Sequence, residues 1–378
     1  MILEKMLKEE WRTQSKLYKG KYLAALPLLI FLLTYLGGRL ITNFSAAPVT
    51  DIGLLISAFG FFTGLAAGSI GFSGNVALDN VLGDANFLIF SSRTLPVKKT
   101  VLIREFIVKD ILFYVGLYLG PVALAAGLLS RELILYTGYM AALFIVGLFL
   151  SILTANAASN LPSRKSFVGY EDLPLSALSK KSLLDVLRSS GGILKILMSM
   201  ALLLGLYGYI VNYVPLASYL LQNPLMSFSV ITGMMSVTVY NWLNTYDEFE
   251  DYGYLPVSKS ELLESKFKAF KLVSFLLITA VLFGGYLIFG GNLILALITG
   301  LVTAYYVGAV TMYESGLNPN EDMINAWTFT KFLIGVNLLV MPLLVTASFQ
   351  SDPVLILAIL APMAITGRLA ESMKLSRS

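Results

Sequence analysis

Runs of about twenty apolar residues recur along this chain of 378 residues, and no other feature limits its fold as strongly. Only 13% of the residues are charged, and the mean hydropathy is +0.76. An α-helix of about twenty residues spans the ~30 Å hydrocarbon core of a bilayer. A soluble domain of this size would need far more polar surface. The sequence therefore predicts an all-α polytopic membrane protein.

The apolar runs define ten predicted membrane spans. Their bounds are Tyr22–Ile41, Ile52–Gly74, Phe106–Leu129, Ile134–Ser159, Ile193–Val214, Leu225–Asn244, Leu272–Phe289, Leu293–Met312, Lys331–Phe349 and Val354–Ile365. The number and the bounds follow from hydropathy and length alone.

Lysine and arginine set the predicted orientation. If the N-terminus is cytoplasmic, 25 of the 27 Lys and Arg residues lie on cytoplasmic segments or at their edges, and the two exceptions are Arg39 and Arg131. Cytoplasmic segments of membrane proteins carry this excess of basic residues. We therefore predict that both termini are cytoplasmic.

Residues 1–21 precede the first span and form a predicted amphipathic helix. One face carries apolar residues such as Leu3, Met6 and Trp11, and the other carries lysine and arginine. Such a helix can lie in the membrane interface with its basic face toward anionic head groups. The alternative is a solvated basic leader that only fixes the topology.

A short motif occurs twice, and its copies are Leu95-Pro96-Val97-Lys98-Lys99 and Leu255-Pro256-Val257-Ser258-Lys259. Each copy follows an apolar run and precedes another span. Because the two copies have the same orientation, they predict a parallel internal repeat. We accordingly divide the chain into the interfacial helix over 1–21, a first transmembrane repeat of four spans over 22–192, and a second transmembrane repeat of six spans over 193–378.

The second copy of the motif has the chemistry of a docking element. Proline fixes φ and is well tolerated at a helix start, and Ser258 with Glu261 fits a capping box. The leucine and valine of the motif, together with Leu262 and Leu263, would form a rigid apolar knob with basic flanks. Such a knob suits a shallow groove on a soluble partner. The alternative is that these residues only pack the loop against the transmembrane helices.

A third cytoplasmic loop carries a looser version of the motif over residues 173–176, followed by a helical pattern over 179–188. The leucines of this pattern form one apolar face. It predicts either a further docking element or an interfacial helix.

Glycines at helical spacing mark predicted packing faces. Gly60, Gly64 and Gly68 repeat every four residues in the second span, and Gly116 and Gly120 do so in the third. Small residues at this spacing let two helices approach closely. We expect packing within the chain, with a moving or subunit interface as the alternative.

The composition excludes several kinds of chemistry. The chain has no histidine and no cysteine, so imidazole and thiolate metal ligands, disulfides and catalysis by either residue are absent. It has no P-loop signature, and we expect it to bind no cofactor.

Two other kinds of function remain as alternatives. A secondary transporter would need inverted repeats and ionisable residues inside the membrane. A membrane enzyme would need clustered carboxylates, and the one dense acidic cluster is Asp247, Glu248, Glu250 and Asp251.

Two loop sequences carry a family resemblance. They are FSSRTLPVKKTVLIRE, from Phe90 to Glu105, and YDEFEDYGYLPVSKSELLESK, from Tyr246 to Lys266. Together with the charged N-terminal helix, they resemble the transmembrane subunits of ABC-2 type ATP-binding cassette exporters. The common subunit of that family has six spans and one such loop, whereas we predict ten spans and two loops. The resemblance therefore leaves open whether one chain engages one ATPase or two.

The resemblance implies a permease that is not itself an enzyme. It would export a hydrophobic or amphipathic substrate across the cytoplasmic membrane of a prokaryote, and a cytoplasmic P-loop ATPase would bind ATP and Mg²⁺. The chain would act alone, as a homodimer or with a second permease, and we expect no nucleic-acid partner. The coupling helices that dock on the ATPase would contain Leu95, Pro96, Val97, Lys98, Lys99, Leu102, Leu255, Pro256, Val257, Ser258, Lys259 and Leu262.

Overall fold

The structure is a computed structural model that describes residues 3–8, 11–12, 21–44, 49–72, 99–159, 175–188, 192–213, 221–244, 252, 254–319, 326–349 and 352–377. All regular secondary structure among these residues is helical, and none of them lies in a strand. The predicted all-α class is confirmed for this part of the chain.

The chain divides into two compact units, Met1–Leu161 and Pro162–Ser378. Besides a short N-terminal helical segment, the described helices of the first unit are α1 (Lys21–Phe44), α2 (Val49–Phe72), α3 (Lys99–Tyr114), α4 (Gly120–Leu129) and α5 (Leu133–Ser159). A five-residue π-helix, Val115–Leu119, joins α3 to α4 without a break. At the end of α4 the backbone of Ser130 is extended, and its hydroxyl accepts a hydrogen bond from the Glu132 N–H at 3.3 Å.

The pair α2 and α5 makes the closest helix contact described in the first unit. A Cβ atom built at Gly60 or Gly64 on α2, or at Gly147 on α5, would overlap a backbone carbonyl of the opposite helix. At Gly64 it would also lie 2.9 Å from the backbone nitrogen of Leu148. Only a residue without a side chain permits this approach, which brings the two backbones into van der Waals contact.

The second unit contains eight described helices. They are α6 (Ala177–Arg188), α7 (Gly192–Tyr213), α8 (Pro224–Met235), α9 (Val237–Leu243), α10 (Lys259–Phe289), α11 (Leu293–Ser315), α12 (Ala326–Phe349) and α13 (Pro353–Arg377). The side chain of Asn292 caps α11 by accepting from the Leu295 N–H at 3.1 Å. Gly290 (φ 68°) and Gly316 (φ 59°) end α10 and α11 in a conformation that favours glycine.

The central helix of the second unit is α11, which contacts α8, α10, α12 and α13. Small residues recur on it every four positions, as Ala296, Gly300, Ala304 and Gly308. A Cβ at Gly300 would lie 3.3 Å from the Ser229 carbonyl oxygen of α8. The small-residue stripe therefore lets neighbouring helices close in on α11.

The division between the units places α6 with the second unit. The predicted repeat boundary after residue 192 lies beyond the end of α6, and the division of the chain into two repeats stays a prediction. The hydroxyl of Ser179 on α6 donates to the Ser265 carbonyl of α10 at 2.9 Å, and both residues are buried. Val186 on the same helix is also completely buried. These contacts explain why α6 belongs to the compact unit that α10 helps to build.

Six helical stretches of the described chain are long and apolar enough to cross a membrane. They are Ile107–Leu129, Leu133–Leu153, Lys259–Phe289, Leu293–Ser315, Trp327–Phe349 and Pro353–Ser376. Two shorter apolar stretches are Ala24–Arg39 and Val49–Leu65. Outward-facing side chains such as Leu287, Ile294 and Leu338 suit contact with lipid. An integral membrane protein is thus indicated, whereas ten spans, cytoplasmic termini and a parallel repeat stay predictions.

The described parts of the N-terminal segment, residues 3–8 and 11–12, are helical. Met6 is buried and Trp11 is exposed, while Lys8 pairs with Glu4 at 2.8 Å on the surface. The placement of this segment in the membrane interface stays a prediction.

Candidate partner-docking site

The second copy of the motif forms the turn that leads into α10. The N–H of Leu255 donates to the Tyr252 carbonyl, and the N–H of Val257 donates to the Leu255 carbonyl, each at 2.8 Å. Pro256 lies between these bonds, where its fixed φ and missing N–H are compatible with a tight turn. The local sequence thus sets the shape of the turn. We call residues 254–259 the docking turn.

A capping box fixes the docking turn to α10. The Ser258 hydroxyl accepts from the Glu261 N–H at 3.2 Å, and the Glu261 carboxylate accepts from the Ser258 N–H at 3.0 Å. The capping box predicted from the sequence is confirmed. The hydrogen bond from the Ser258 N–H is the main cause that lowers the pKa of the Glu261 carboxyl. The first turn of α10 is therefore held in one conformation while its outer surface stays free.

The residues of the docking element differ sharply in exposure. Tyr254 is 100% exposed and Leu255 is 55% exposed, whereas Leu262 is 0% exposed. Pro256 and Lys259 are also exposed. Leu262 therefore lies in the core of its own unit, and the exposed residues of the second motif copy lie in the docking turn.

Helix α6 braces the docking element from the inner side. Besides the bond from Ser179 to the Ser265 carbonyl, Leu183 packs against the core cluster that contains Leu262. The Lys181 ammonium lies 5.3 Å from the centre of the Tyr252 ring. Leu178, Leu183 and Val186 of α6 thus pack into the core of the second unit. A docking or interfacial role for α6 stays a prediction.

Most of the first copy of the motif lies outside the described residues. This applies to Leu95, Pro96, Val97 and Lys98. The described part of α3 begins at Lys99, which is the motif position at which α10 begins. Leu102 lies in the first turn of α3, but the surroundings of its side chain are outside what the structure describes.

The predicted packing glycines have different surroundings. Gly60 and Gly64 lie at the close crossing of α2 and α5, and Gly68 follows on α2 with its surroundings outside the described set. The Gly120 N–H instead donates to the Val115 carbonyl, which is the hydrogen-bond spacing of a π-helix. A Cβ atom built at Gly120 would lie 2.9 Å from the same Val115 oxygen. At Gly116, within the same π-helix, no described atom of another helix lies within 4 Å of a built Cβ.

Helix α10 connects the docking turn to the opposite end of the second unit. Its 31 residues form one continuous helix with a length of about 46 Å, which exceeds the ~30 Å bilayer core. The charged first turns, from Lys259 to Lys271, account for the excess length and lie outside the apolar part. A displacement of the docking turn would therefore be transmitted along one rigid element.

Three hydrogen bonds join α10 and α11 to α13. The Lys271 ammonium donates to the Glu371 carboxylate at 2.9 Å, and the Tyr305 hydroxyl donates to the same carboxylate at 2.6 Å. The Lys374 ammonium donates to the Tyr313 carbonyl at 2.9 Å. Helix α13 is thus held against α10 and α11 by polar as well as apolar contacts.

A cavity of about 350 Å³ lies at the far end of α10. We call it the distal cavity. It is bounded by the start of α8, the turn between α10 and α11, and Pro353 at the start of α13. Phe289, the last residue of α10, forms part of its wall.

The described residues contain no group of three acidic residues that could hold a metal ion. The acidic cluster at residues 247–251 lies outside the described residues.

Comparisons with protein-family models, with curated proteins and with solved structures find no match for this chain. The function is therefore argued from the exposed docking turn, the long helix behind it and the distal cavity.

The sequence interpretation missed three features of this arrangement. The small-residue stripe on α11 has a readable signal, namely Ala296, Gly300, Ala304 and Gly308 at intervals of four. The contact between Lys271 and Glu371 has no local signal, because the two residues are far apart in the chain. The distal cavity likewise arises from segments that meet only in the folded unit.

Proposed function

We propose that this chain is the membrane-spanning permease subunit of an ABC exporter. It would couple ATP hydrolysis by a separate cytoplasmic ATPase to the export of a hydrophobic or amphipathic substrate. The observation that carries the proposal is the continuity of α10, which joins an exposed and capped docking turn to the distal cavity. The resemblance of the loop sequences to ABC-2 permeases gives the proposal its family.

The proposed mechanism is a rigid-body movement. The ATPase would hold Tyr254 and Leu255 in a surface groove and would move when it closes on ATP and Mg²⁺. Because the capping box fixes the docking turn to α10, the whole helix would follow. Phe289 would then shift at the distal cavity, and the exit path would open or close. The first copy of the motif, before α3, would give the ATPase a second attachment point.

The proposal includes the predicted topology. Ten spans with both termini in the cytoplasm would place both motif copies on the ATPase side of a prokaryotic cytoplasmic membrane. Six helices of the second unit, α7, α8 with α9, and α10 to α13, would correspond to the six-span subunit of the common family member. The chain would then function alone, as a homodimer or with a second permease.

An ATP-independent secondary transporter is the second candidate, and one ion pair favours it. Lys109 and Asp110 form a salt bridge at 3.0 Å, and both are buried at the start of the apolar stretch Ile107–Leu129. Buried charges in membrane spans commonly mark ion or proton paths. This candidate predicts transport that an ion gradient drives without ATP and that Asp110→Asn abolishes.

Co-purification tests the main proposal. The tagged chain would be expressed with the proteins encoded beside it, extracted in mild detergent and analysed for bound P-loop ATPases and for ATP hydrolysis. Leu255→Asp should weaken ATPase binding at least tenfold, because it places a charge on the docking turn without changing the core. Met373→Asp, at an exposed apolar residue of α13, is the matched control and should bind as the unchanged chain does. The proposal fails if no P-loop ATPase binds and reconstituted vesicles transport without ATP.

A further inference from the structure

The distal cavity has the features of a ligand-binding site. We propose that the distal cavity binds an uncharged amphipathic molecule. The identification of this molecule as the exported substrate rests on the proposed function, whereas the binding itself does not. Its volume of about 350 Å³ falls at the small end of the ~300–1,000 Å³ typical of ligand pockets. The cavity therefore fits a small molecule, or one end of a larger one, rather than a whole lipid.

The walls of the distal cavity are apolar and well supported. Leu225, Met226 and Leu295 line it, and each is buried. The Phe289 ring packs edge-on against Tyr207, with 5.5 Å between ring centres, and in a tilted arrangement against Phe228, with 6.2 Å between ring centres. Because this aromatic cluster stands behind the wall, the apolar surface is preformed and can accept an alkyl or aromatic group without rearrangement.

The rim of the distal cavity supplies neutral hydrogen-bonding groups. Gln222, Asn223 and Asn292 belong to its lining, and their amide side chains can donate and accept hydrogen bonds, the Asn292 carbonyl oxygen already accepting one from the Leu295 N–H. The backbone of Asn223 is anchored, since its N–H donates to the Ser348 carbonyl at 3.2 Å and its carbonyl accepts from the Ser227 hydroxyl at 3.0 Å. Hydroxyl or amide groups on a ligand would match this rim.

The charge of the lining decides the ligand class. None of the described residues that line the distal cavity is charged. The nearest carboxylate in sequence is Asp352, which accepts from the Val354 N–H at 2.9 Å and thereby caps α13. An ionic ligand would lose hydration in the cavity without gaining an opposite charge. The geometry therefore favours a neutral ligand over an anion or a cation.

Photolabelling with three matched probes tests this inference. The probes share an octyl chain that carries a diazirine and differ in the head group, which is glucose, sulfate or trimethylammonium. The chain would be placed in lipid nanodiscs, and labelled peptides would be identified by mass spectrometry. We expect the glucoside to label Leu225, Met226 or Leu295 saturably and at least fivefold more than either ionic probe does.

The absence of native cysteine allows a reversible block of the distal cavity. Gln222→Cys places one thiol on the rim at an exposed side chain, and benzyl methanethiosulfonate would attach a benzyl group to it. We expect this group to reduce labelling by the glucoside at least fivefold, and dithiothreitol to restore it. Tyr213→Cys is the matched control, because Tyr213 is exposed on α7 outside the cavity lining, and the same modification should leave labelling unchanged.

The outcomes separate this inference from the proposed function. Equal labelling by all three probes, stronger labelling by an ionic probe, or labelling that persists after the block would overturn the inference. None of these results involves the ATPase, so the permease proposal would stand or fall on co-purification. Conversely, selective labelling of a chain that binds no ATPase would retain the ligand site and remove the exporter.

Discussion

Replacing Gly64 by alanine should destabilise the first unit, although alanine normally favours a helix by about 0.5–1 kcal/mol. The added methyl group would overlap the Phe144 carbonyl and lie 2.9 Å from the Leu148 backbone nitrogen. Because both neighbours are backbone atoms, α2 and α5 would have to move apart. Overpacking of this kind costs about 1–3 kcal/mol. We therefore expect a net loss of about 1–2 kcal/mol in the free energy of unfolding.

The matched control for this prediction is Gly138→Ala on α5. Gly138 is exposed, and no described atom of another helix lies within 4 Å of a Cβ built there. This variant should be as stable as the unchanged chain or slightly more stable. Unfolding in mixed detergent micelles with increasing dodecyl sulfate, followed by circular dichroism, gives the free energies. Equal stability of Gly64→Ala and Gly138→Ala would refute the close approach of α2 and α5.

Three further predictions concern the second unit and use the same unfolding measurement. Leu262→Ala should cost about 2–5 kcal/mol because its side chain is fully buried, whereas Leu255→Ala should change stability by less than about 0.5 kcal/mol; equal effects would contradict the split in exposure. Glu261→Gln should destabilise at neutral pH, because a neutral amide replaces the carboxylate that accepts from the Ser258 N–H, and the difference from the unchanged chain should shrink in acid. The Glu261 carboxyl has a lowered pKa in the folded chain. Its contribution to stability is therefore complete above the ordinary pKa of 4.5 and is lost as the pH falls through the lowered pKa of the folded chain. Glu371→Gln should cost about 1–2 kcal/mol, and Glu264→Gln, whose pair with lysine is exposed on both sides, less than about 1 kcal/mol; similar losses would argue against the contact to α13.

Hydropathy predicted the apolar helices well, and its errors have identifiable causes. The predicted span Ile134–Ser159 matches α5, and Leu293–Met312 matches all but the last turn of α11. The predicted span at Leu272 begins well inside α10, because the charged residues before it are also helical and a helix does not need apolar residues to continue. The pair α8 and α9 is interrupted at Ser236, a residue that hydropathy does not mark as a break.

The candidate site was only partly predictable. The capping box at Ser258 is a local pattern, so the sequence alone was sufficient to find it. The burial of Leu262 was not predictable, because it depends on packing against α6, whose position follows from the tertiary fold. Spacing of glycines predicted a packing face equally for Gly64 and for Gly120. The structure distinguishes the two glycines. Gly64 lies against the backbone of α5, whereas the close neighbour of Gly120 is the Val115 carbonyl of its own π-helix.

Cross-linking from Tyr254 tests the central claim most directly. Tyr254 is fully exposed, so replacing it with a photoreactive phenylalanine analogue should leave the fold intact. Irradiation of cells that express this variant should yield one major adduct, identified by mass spectrometry as a P-loop ATPase. The same analogue at Trp327, an exposed aromatic residue of α12, should not yield that adduct. An adduct with a protein of another class at position 254, or equal ATPase adducts at both positions, would contradict the proposal that the docking turn is held by the ATPase.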